Sequence, residues 1–152
     1  QNSDSETIQG KVNADLIVGS LADDEIDGRG GNDVIVATEG VDTLTGGNGD
    51  DVFFYSDITD ITDRDIIVDF TRGSDRLDIS EPLILSGYTG DDPIADGYVA
   101  VNSLSNDSLE IQFDPDGTGG QPASTFVTLE NINPIAFQND MDNQFIFTPT
   151  EF

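Results

Sequence analysis

The chain has no cysteine and no histidine, and only five of its 152 residues are basic. Each absence removes a class of chemistry. Without those two residue types there are no disulfides, no thiolate nucleophile, no imidazole base, and few of the ligands that most transition-metal sites need. Five Lys and Arg against 31 Asp and Glu give a formal charge of −26, which leaves no basic surface for nucleic acid or an anionic membrane. No apolar run approaches the roughly 18 residues needed to cross a bilayer. There is also no G-x-S-x-G, and "GRGGND" (28–33) lacks the Lys-Ser/Thr that completes a phosphate loop. The expectation is a chain that is not an enzyme, takes no nucleic acid and does not insert into membranes.

What is abundant is aspartate: 24 of the 31 acids are Asp and seven are Glu. Glu-rich acidity suits solvated helices, whereas Asp beside Gly and Asn suits turns and oxygen-rich cation sites. A halophile-style acidic surface is the plainer alternative.

The aspartates are periodic. Five contiguous nonads run "GKVNADLIV" (10–18), "GSLADDEID" (19–27), "GRGGNDVIV" (28–36), "ATEGVDTLT" (37–45) and "GGNGDDVFF" (46–54). Position six is Asp15, Asp24, Asp33, Asp42 and Asp51; position eight is Ile17, Ile26, Ile35, Leu44 and Phe53. Position one is Gly in four nonads and Ala37 in the other. Such a period marks a coil in which six residues turn and three form a short strand whose middle side chain faces the core. Two nonads make one coil, so loops two repeats apart stack and their aspartates face one another. Unneutralised, that column repels itself; a hard cation with six to eight oxygen ligands removes the conflict, and calcium fits.

These nonads resemble the RTX (repeats-in-toxin, hemolysin-type calcium-binding) domains at the C-termini of type I-secreted bacterial proteins. The resemblance implies an all-β fold: a parallel β-roll of calcium-binding repeats continuing into a C-terminal antiparallel β cap. It also implies a ligand set, with carbonyls at positions two and four plus Asp from the earlier loop, and carbonyls at one and three plus Asp from the later. One site is then Lys11, Asn13 and Asp15 with Gly28, Gly30 and Asp33. A second is Arg29, Gly31 and Asp33 with Gly46, Asn48 and Asp51. A third, on the opposite edge, is Ser20, Ala22 and Asp24 with Ala37, Glu39 and Asp42. Continuing the phase through "YSDITDITD" and "RDIIVDFTR" adds two more. Thr38, Gly40 and Asp42 pair with Tyr55, Asp57 and Asp60; Gly47, Gly49 and Asp51 pair with Arg64, Ile66 and Asp69. The expected cofactor is Ca2+, at three sites and up to five.

Positions seven and nine point outward. They are Leu16/Val18, Val34/Val36 and Val52/Phe54 on one sheet, but Glu25/Asp27 and Thr43/Thr45 on the other. The apolar face calls for a cover, and the C-terminal half is the expected one, with a partner protein or ligand as the alternative. Residues 1–9 read as a polar linker, 10–63 as the roll, and 64–152 as a β-rich cap carrying a type I secretion signal region. Strands are expected at Asp65–Phe70, Arg76–Ile79, Tyr98–Asn102, Ser108–Phe113, Ser124–Leu129 and Asn143–Phe147, with a helical turn at "SEPLIL" capped by Ser80. "DPDGTGGQPAS" reads as a hairpin loop, since Thr118 and Thr125 stand where an EF-hand needs ligands.

Segment 65–80 is similar to the stretch after the repeats in secreted proteases, alginate-epimerase R-modules and large adhesins; segment 108–132 is most like the latter. The resemblance implies a secreted, extracellular or cell-surface module, monomeric in isolation. It folds on calcium and supports type I secretion of a larger parent chain, an adhesin. Its partners are the type I secretion machinery and the rest of that chain. The alternative is a module binding an alginate-like polysaccharide in an extracellular enzyme.

Overall fold

The computed structural model describes residues 4–57, 63–104, 107–117, 120 and 122–148. The strands are β1 (Thr7–Gln9), β2 (Leu16–Val18), β3 (Glu25–Asp27), β4 (Val34–Ala37), β5 (Thr43–Thr45), β6 (Val52–Tyr55), β7 (Asp65–Ile67) and β8 (Arg76–Asp78). Helix α1 (Ser80–Leu85) follows, then β9 (Val99–Ser103), β10 (Leu109–Phe113), β11 (Ser124–Leu129), α2 (Pro134–Gln138), a 3-10 turn (Met141–Asn143) and β12 (Phe145–Ile146).

Consecutive strands of the repeat go to opposite sheets. One sheet orders β1-β3-β5-β7-β11-β10-β9 and the other β12-β8-β6-β4-β2. Pairing inside the roll is parallel and without slip, Leu16 to Val34 to Val52 on one sheet and Glu25 to Thr43 on the other. The alternation of one inward residue between two outward ones fixes this register, because a one-residue slip would expose the core column. Two columns result: Ile17, Ile35, Phe53, Leu77 and Phe145; and Ile8, Ile26, Leu44, Ile67 and Leu129. Ile26, Ile35, Leu44 and Phe53 are wholly buried, each adding about 1.5–3 kcal/mol by leaving water.

The parallel roll exceeds the limits 10–63. β1 lies in the stretch read as a linker and pairs with β3. β7 and β8 extend both sheets in parallel, and β11 and β12 then pair in parallel with them. Among the described residues only β9, β10 and β11 form the expected antiparallel part. The period hid this because the spacing changes after residue 54 while the pairing does not.

Among the described residues the C-terminal half does not cover the apolar outer face. Leu16 is 71% exposed and Val18 48%, and Leu16, Val34, Val36 and Phe54 line an open apolar groove. Strands β11 and β12 instead close the end of the roll, where β7 and β8 would otherwise present unpaired backbone groups. Tyr55 meets Phe126 edge-on at 5.0 Å and Phe137 meets Phe145 at 6.0 Å, so roll and cap share one core.

Local signals explain the helices. Ser80 is the first residue of α1 rather than its cap, and its hydroxyl donates to Asp78 at 2.7 Å. Asn133 caps α2 by accepting the Ala136 N–H at 2.9 Å, with Pro134 at its first position. Among the described residues no helix is long and apolar enough to cross a membrane.

Candidate metal sites along the roll

The position-six aspartates form two ladders. On one edge the Asp15 N–H donates to Asp33 Oδ1 at 2.8 Å, Asp33 to Asp51 at 2.9 Å, and Asp51 to Asp75 at 3.0 Å. On the other, Glu6 donates to Asp24 at 2.7 Å, Asp24 to Asp42 at 2.8 Å, and Asp42 to Asp65 at 2.9 Å. One carboxylate oxygen therefore ties each coil to the previous one.

The second oxygen separates the rungs. In Asp15, Asp24 and Asp75 it accepts a backbone N–H from the same loop, from Lys11 at 2.6 Å, Ser20 at 2.5 Å and Thr71 at 2.7 Å. In Asp33 and Asp51, Oδ2 is buried with no hydrogen-bond partner; in Asp42 and Asp65 it is buried without a hydrogen bond of good geometry, with the Thr38 backbone close to the first carboxyl and the Tyr55 hydroxyl close to the second. The donors that would have served two of them are diverted: Arg29 N–H goes to Asp27 at 3.0 Å and Gly47 N–H to Asp69 at 2.8 Å. The orphaned oxygens fall in consecutive pairs, Asp33 with Asp51 and Asp42 with Asp65, one pair on each edge. A buried carboxylate oxygen without a donor is costly unless a proton or cation meets it.

Burial accordingly pushes these carboxyls up. Asp65 rises to about 8 and Asp42 to about 6, each raised further by the neighbouring ladder carboxylate. Asp75 also rises to about 6, and Asp33 and Asp51 are raised, in each case chiefly by desolvation.

Glycines keep the loops close. A Cβ on Gly28 would stand 2.5 Å from Asp33 Oδ2 and 2.6 Å from the Gly46 carbonyl oxygen, and one on Gly46 would stand 2.5 Å from Asp51 Oδ2. Asp33, Gly46 and Asp51, assigned to one site from the sequence, are thus brought together. Gly28 and Asp15 converge on Gly10 in the same way. The Asn13 carbonyl faces Gly31, and the Gly31 carbonyl faces Gly49.

Other assigned carbonyls are engaged. Arg29 O accepts the Asn48 N–H at 3.1 Å, Asn48 O accepts the Gly31 N–H at 2.9 Å, and Gly28 O accepts the Gly30 N–H at 3.0 Å. Each retains a second lone pair. Ala37 and Tyr55 are not in loops at all: they pair as strand residues of β4 and β6. Ala22 lies against Gly40, while Glu39 is exposed.

The phase beyond residue 54 is corrected. The carboxylate facing Asp42 is Asp65 and the one facing Asp51 is Asp75, at separations of 23 and 24 residues where the regular ladder has 18. Asp69 instead accepts the Gly46 and Gly47 N–H groups at 3.0 and 2.8 Å. Asp57 is exposed beyond β6, and Asp60 lies outside the described residues. A signal was available: in every nonad the ladder Asp stands two residues before an inward apolar side chain. Asp65 precedes Ile67 and Asp75 precedes Leu77 so, whereas Thr62 and Thr71 follow Asp60 and Asp69.

Among the described residues no three acidic side chains gather at one point. A cation here would rest on two carboxylates and main-chain carbonyls, a hard-oxygen set suited to calcium. The residues fit that ion best at Asp33, Gly46 and Asp51, and at Asp42 with Asp65.

The family model described as Peptidase M10 serralysin C terminal matches residues 1–117. The fold is similar to the solution structure of the AlgE6R3 subunit of the mannuronan C5-epimerase from Azotobacter vinelandii, with a TM-score of 0.74 and 27% identity over 99% of this chain and 83% of that one. It is also similar in fold to the AlgE6R2 subunit of the same epimerase, with a TM-score of 0.54 and 24% identity over 99% and 96%. No curated protein matches the chain.

Proposed function

Because the chain belongs to the Peptidase M10 serralysin C-terminal family, we propose that it is a non-catalytic, calcium-binding module that folds when calcium fills the loops of its roll. The observation that carries this reading is the set of orphaned Oδ2 atoms on Asp33, Asp42, Asp51 and Asp65, stacked between coils of a chain with net charge −26. Calcium would supply the positive charge and oxygen coordination that these atoms lack. Asp33 and Asp51 would hold it on one edge, with the Gly46 carbonyl, and Asp42 and Asp65 on the other. At low free calcium the acidic loops repel and disfavour the coil; at millimolar calcium binding energy becomes folding energy.

That switch suits a chain exported unfolded and folded outside, so we place the module in a secreted or surface protein with the type I machinery as its partner. The adhesin-like segment 108–132 supports an adhesin as the parent. Circular dichroism in chelator and in millimolar calcium tests the reading. The expected result is a large gain of β signal with calcium; identical folded spectra would sink it.

A second reading is a polysaccharide-binding module, supported by the 27% identity to a subunit of a mannuronan epimerase. The charge of −26 opposes an anionic polymer unless calcium bridges the two. Calorimetry with mannuronan in saturating calcium separates the readings, since a scaffold gives no binding heat.

A further inference from the structure

Resting on the calcium reading above, we infer that one rung of the roll is built to close without the ion. It is the rung between loops 19–24 and 37–42, where the hydroxyls of Ser20 and Thr38 occupy the place of the cation.

Position two of the five nonads is Lys11, Ser20, Arg29, Thr38 and Gly47. Hydroxyls therefore stand in both loops of this rung and in neither loop of the rungs across the roll. The Ser20 hydroxyl, with one proton to give, lies 3.0 Å from Asp24 Oδ1 and 3.1 Å from the Asp4 carbonyl oxygen, while the Ser20 N–H donates to Asp24 Oδ2 at 2.5 Å. With the Glu6 N–H at 2.7 Å, both oxygens of Asp24 are satisfied by the protein. The same Ser20 Oγ accepts the Ala22 N–H at 3.2 Å, bracing the loop from inside.

Thr38 closes the gap from the other side. Its hydroxyl donates to the Ser20 carbonyl, the group that the repeat pattern assigns to calcium. Ser20 is 3% exposed, Asp24 4% and Thr38 6%, so little water reaches this rung. The contrast with Asp33 and Asp51 is direct: there position two is Arg29 or Gly47, its N–H is diverted, and Oδ2 is left without a donor. A backbone N–H meets Asp24 Oδ2 here as it does at Asp15 and Asp75; what sets this rung apart is that the Thr38 hydroxyl takes the Ser20 carbonyl, while the free Oδ2 of Asp42 is left to the following coil, with Asp65.

The test is to locate the ions and then to create one. Crystals of the chain grown in calcium, with anomalous scattering recorded, are expected to show an ion between Asp33 and Asp51 and none between Asp24 and Asp42. An ion ligated by the Ser20 carbonyl would overturn the inference while leaving the calcium reading intact. Absence of calcium from every rung would overturn both. In solution, the double variant Ser20→Gly/Thr38→Gly removes both hydroxyls, and calorimetry is expected to count one more calcium per chain than in the unmodified protein. An unchanged count in a variant whose spectrum in calcium matches the parent overturns the inference. Should the double variant not fold, Thr38→Val serves: it keeps the side chain's shape and removes the donor. It is expected to lower residual β signal in chelator while leaving the calcium count unchanged, and an unaltered chelator spectrum counts against the assignment.

Discussion

The backbone N–H of Asp33 donates to Oδ1 of Asp51, one coil later, at 2.9 Å, while Oδ2 of Asp51 has no partner. One side chain thus carries two separable roles, a structural tie through one oxygen and a cation ligand through the other. Asp51→Asn retains an acceptor for the tie and removes the charge. Calorimetry is expected to show calcium affinity reduced at least about tenfold, roughly 1.4 kcal/mol, while stability in chelator is unchanged or raised.

Without calcium, folding should strengthen as pH falls. The carboxyls of Asp42 and Asp75 are raised to about 6 and that of Asp65 to about 8, so the folded form binds protons more tightly than the unfolded chain. Their favourable contribution is complete below the ordinary carboxylate value of 3.8 and is lost as pH rises through 6 and then 8. Circular dichroism in chelator is expected to give more β signal at pH 5 than at pH 8. In saturating calcium the trend should invert, because protons then compete with the ion for the same oxygens.

Two glycine substitutions should differ sharply. Gly49 has φ +145°, and a Cβ there would lie 1.9 Å from the Gly31 carbonyl oxygen. Gly73 has φ +86° with nothing within 4 Å. Gly73→Ala is expected to cost about 1 kcal/mol through its backbone alone. Gly49→Ala must also push two stacked loops apart, so its loss in thermal unfolding with calcium should be clearly the larger.

Phe53 is wholly buried in the central column, while Leu16 on the outer face is 71% exposed. Phe53→Ala is expected to destabilise the calcium-bound fold by about 3–5 kcal/mol. Leu16→Ala should stay within about 0.5 kcal/mol, measured by urea titration.

The repeat made the roll legible because its geometry is local: nine residues specify one loop, one strand and one inward side chain. The pairing of Asp33 with Asp51 and both core columns as far as Phe53 follow from that unit. It failed where two connections lengthen, so that counting by nines chose Asp60 and Asp69 while stacking chose Asp65 and Asp75. Inward burial of Ile67 and Leu77 decides that register; the nine-residue count misses it, although an Asp two residues before each of these side chains marks it. The open outer face was misjudged for a related reason. Apolar outward residues signal a wish for cover, but the unpaired backbone of β7 and β8 makes the stronger demand, and β11 and β12 answer it. The repeat pattern marks Ser20 and Thr38 only as carbonyl positions; their hydroxyls acquire meaning once the loops are stacked.

The aspartate ladders also have a sense of direction. Every tie runs from the N–H of one coil to the carboxylate of the next, so each coil is completed by its successor. At the far end, β7 and β8 are already held by β11 and β12, and Asp65 and Asp75 present finished acceptors to whatever arrives. The cap therefore ends both ladders on acceptors that the fold holds in place, and the first coils depend for their ties on those that follow them.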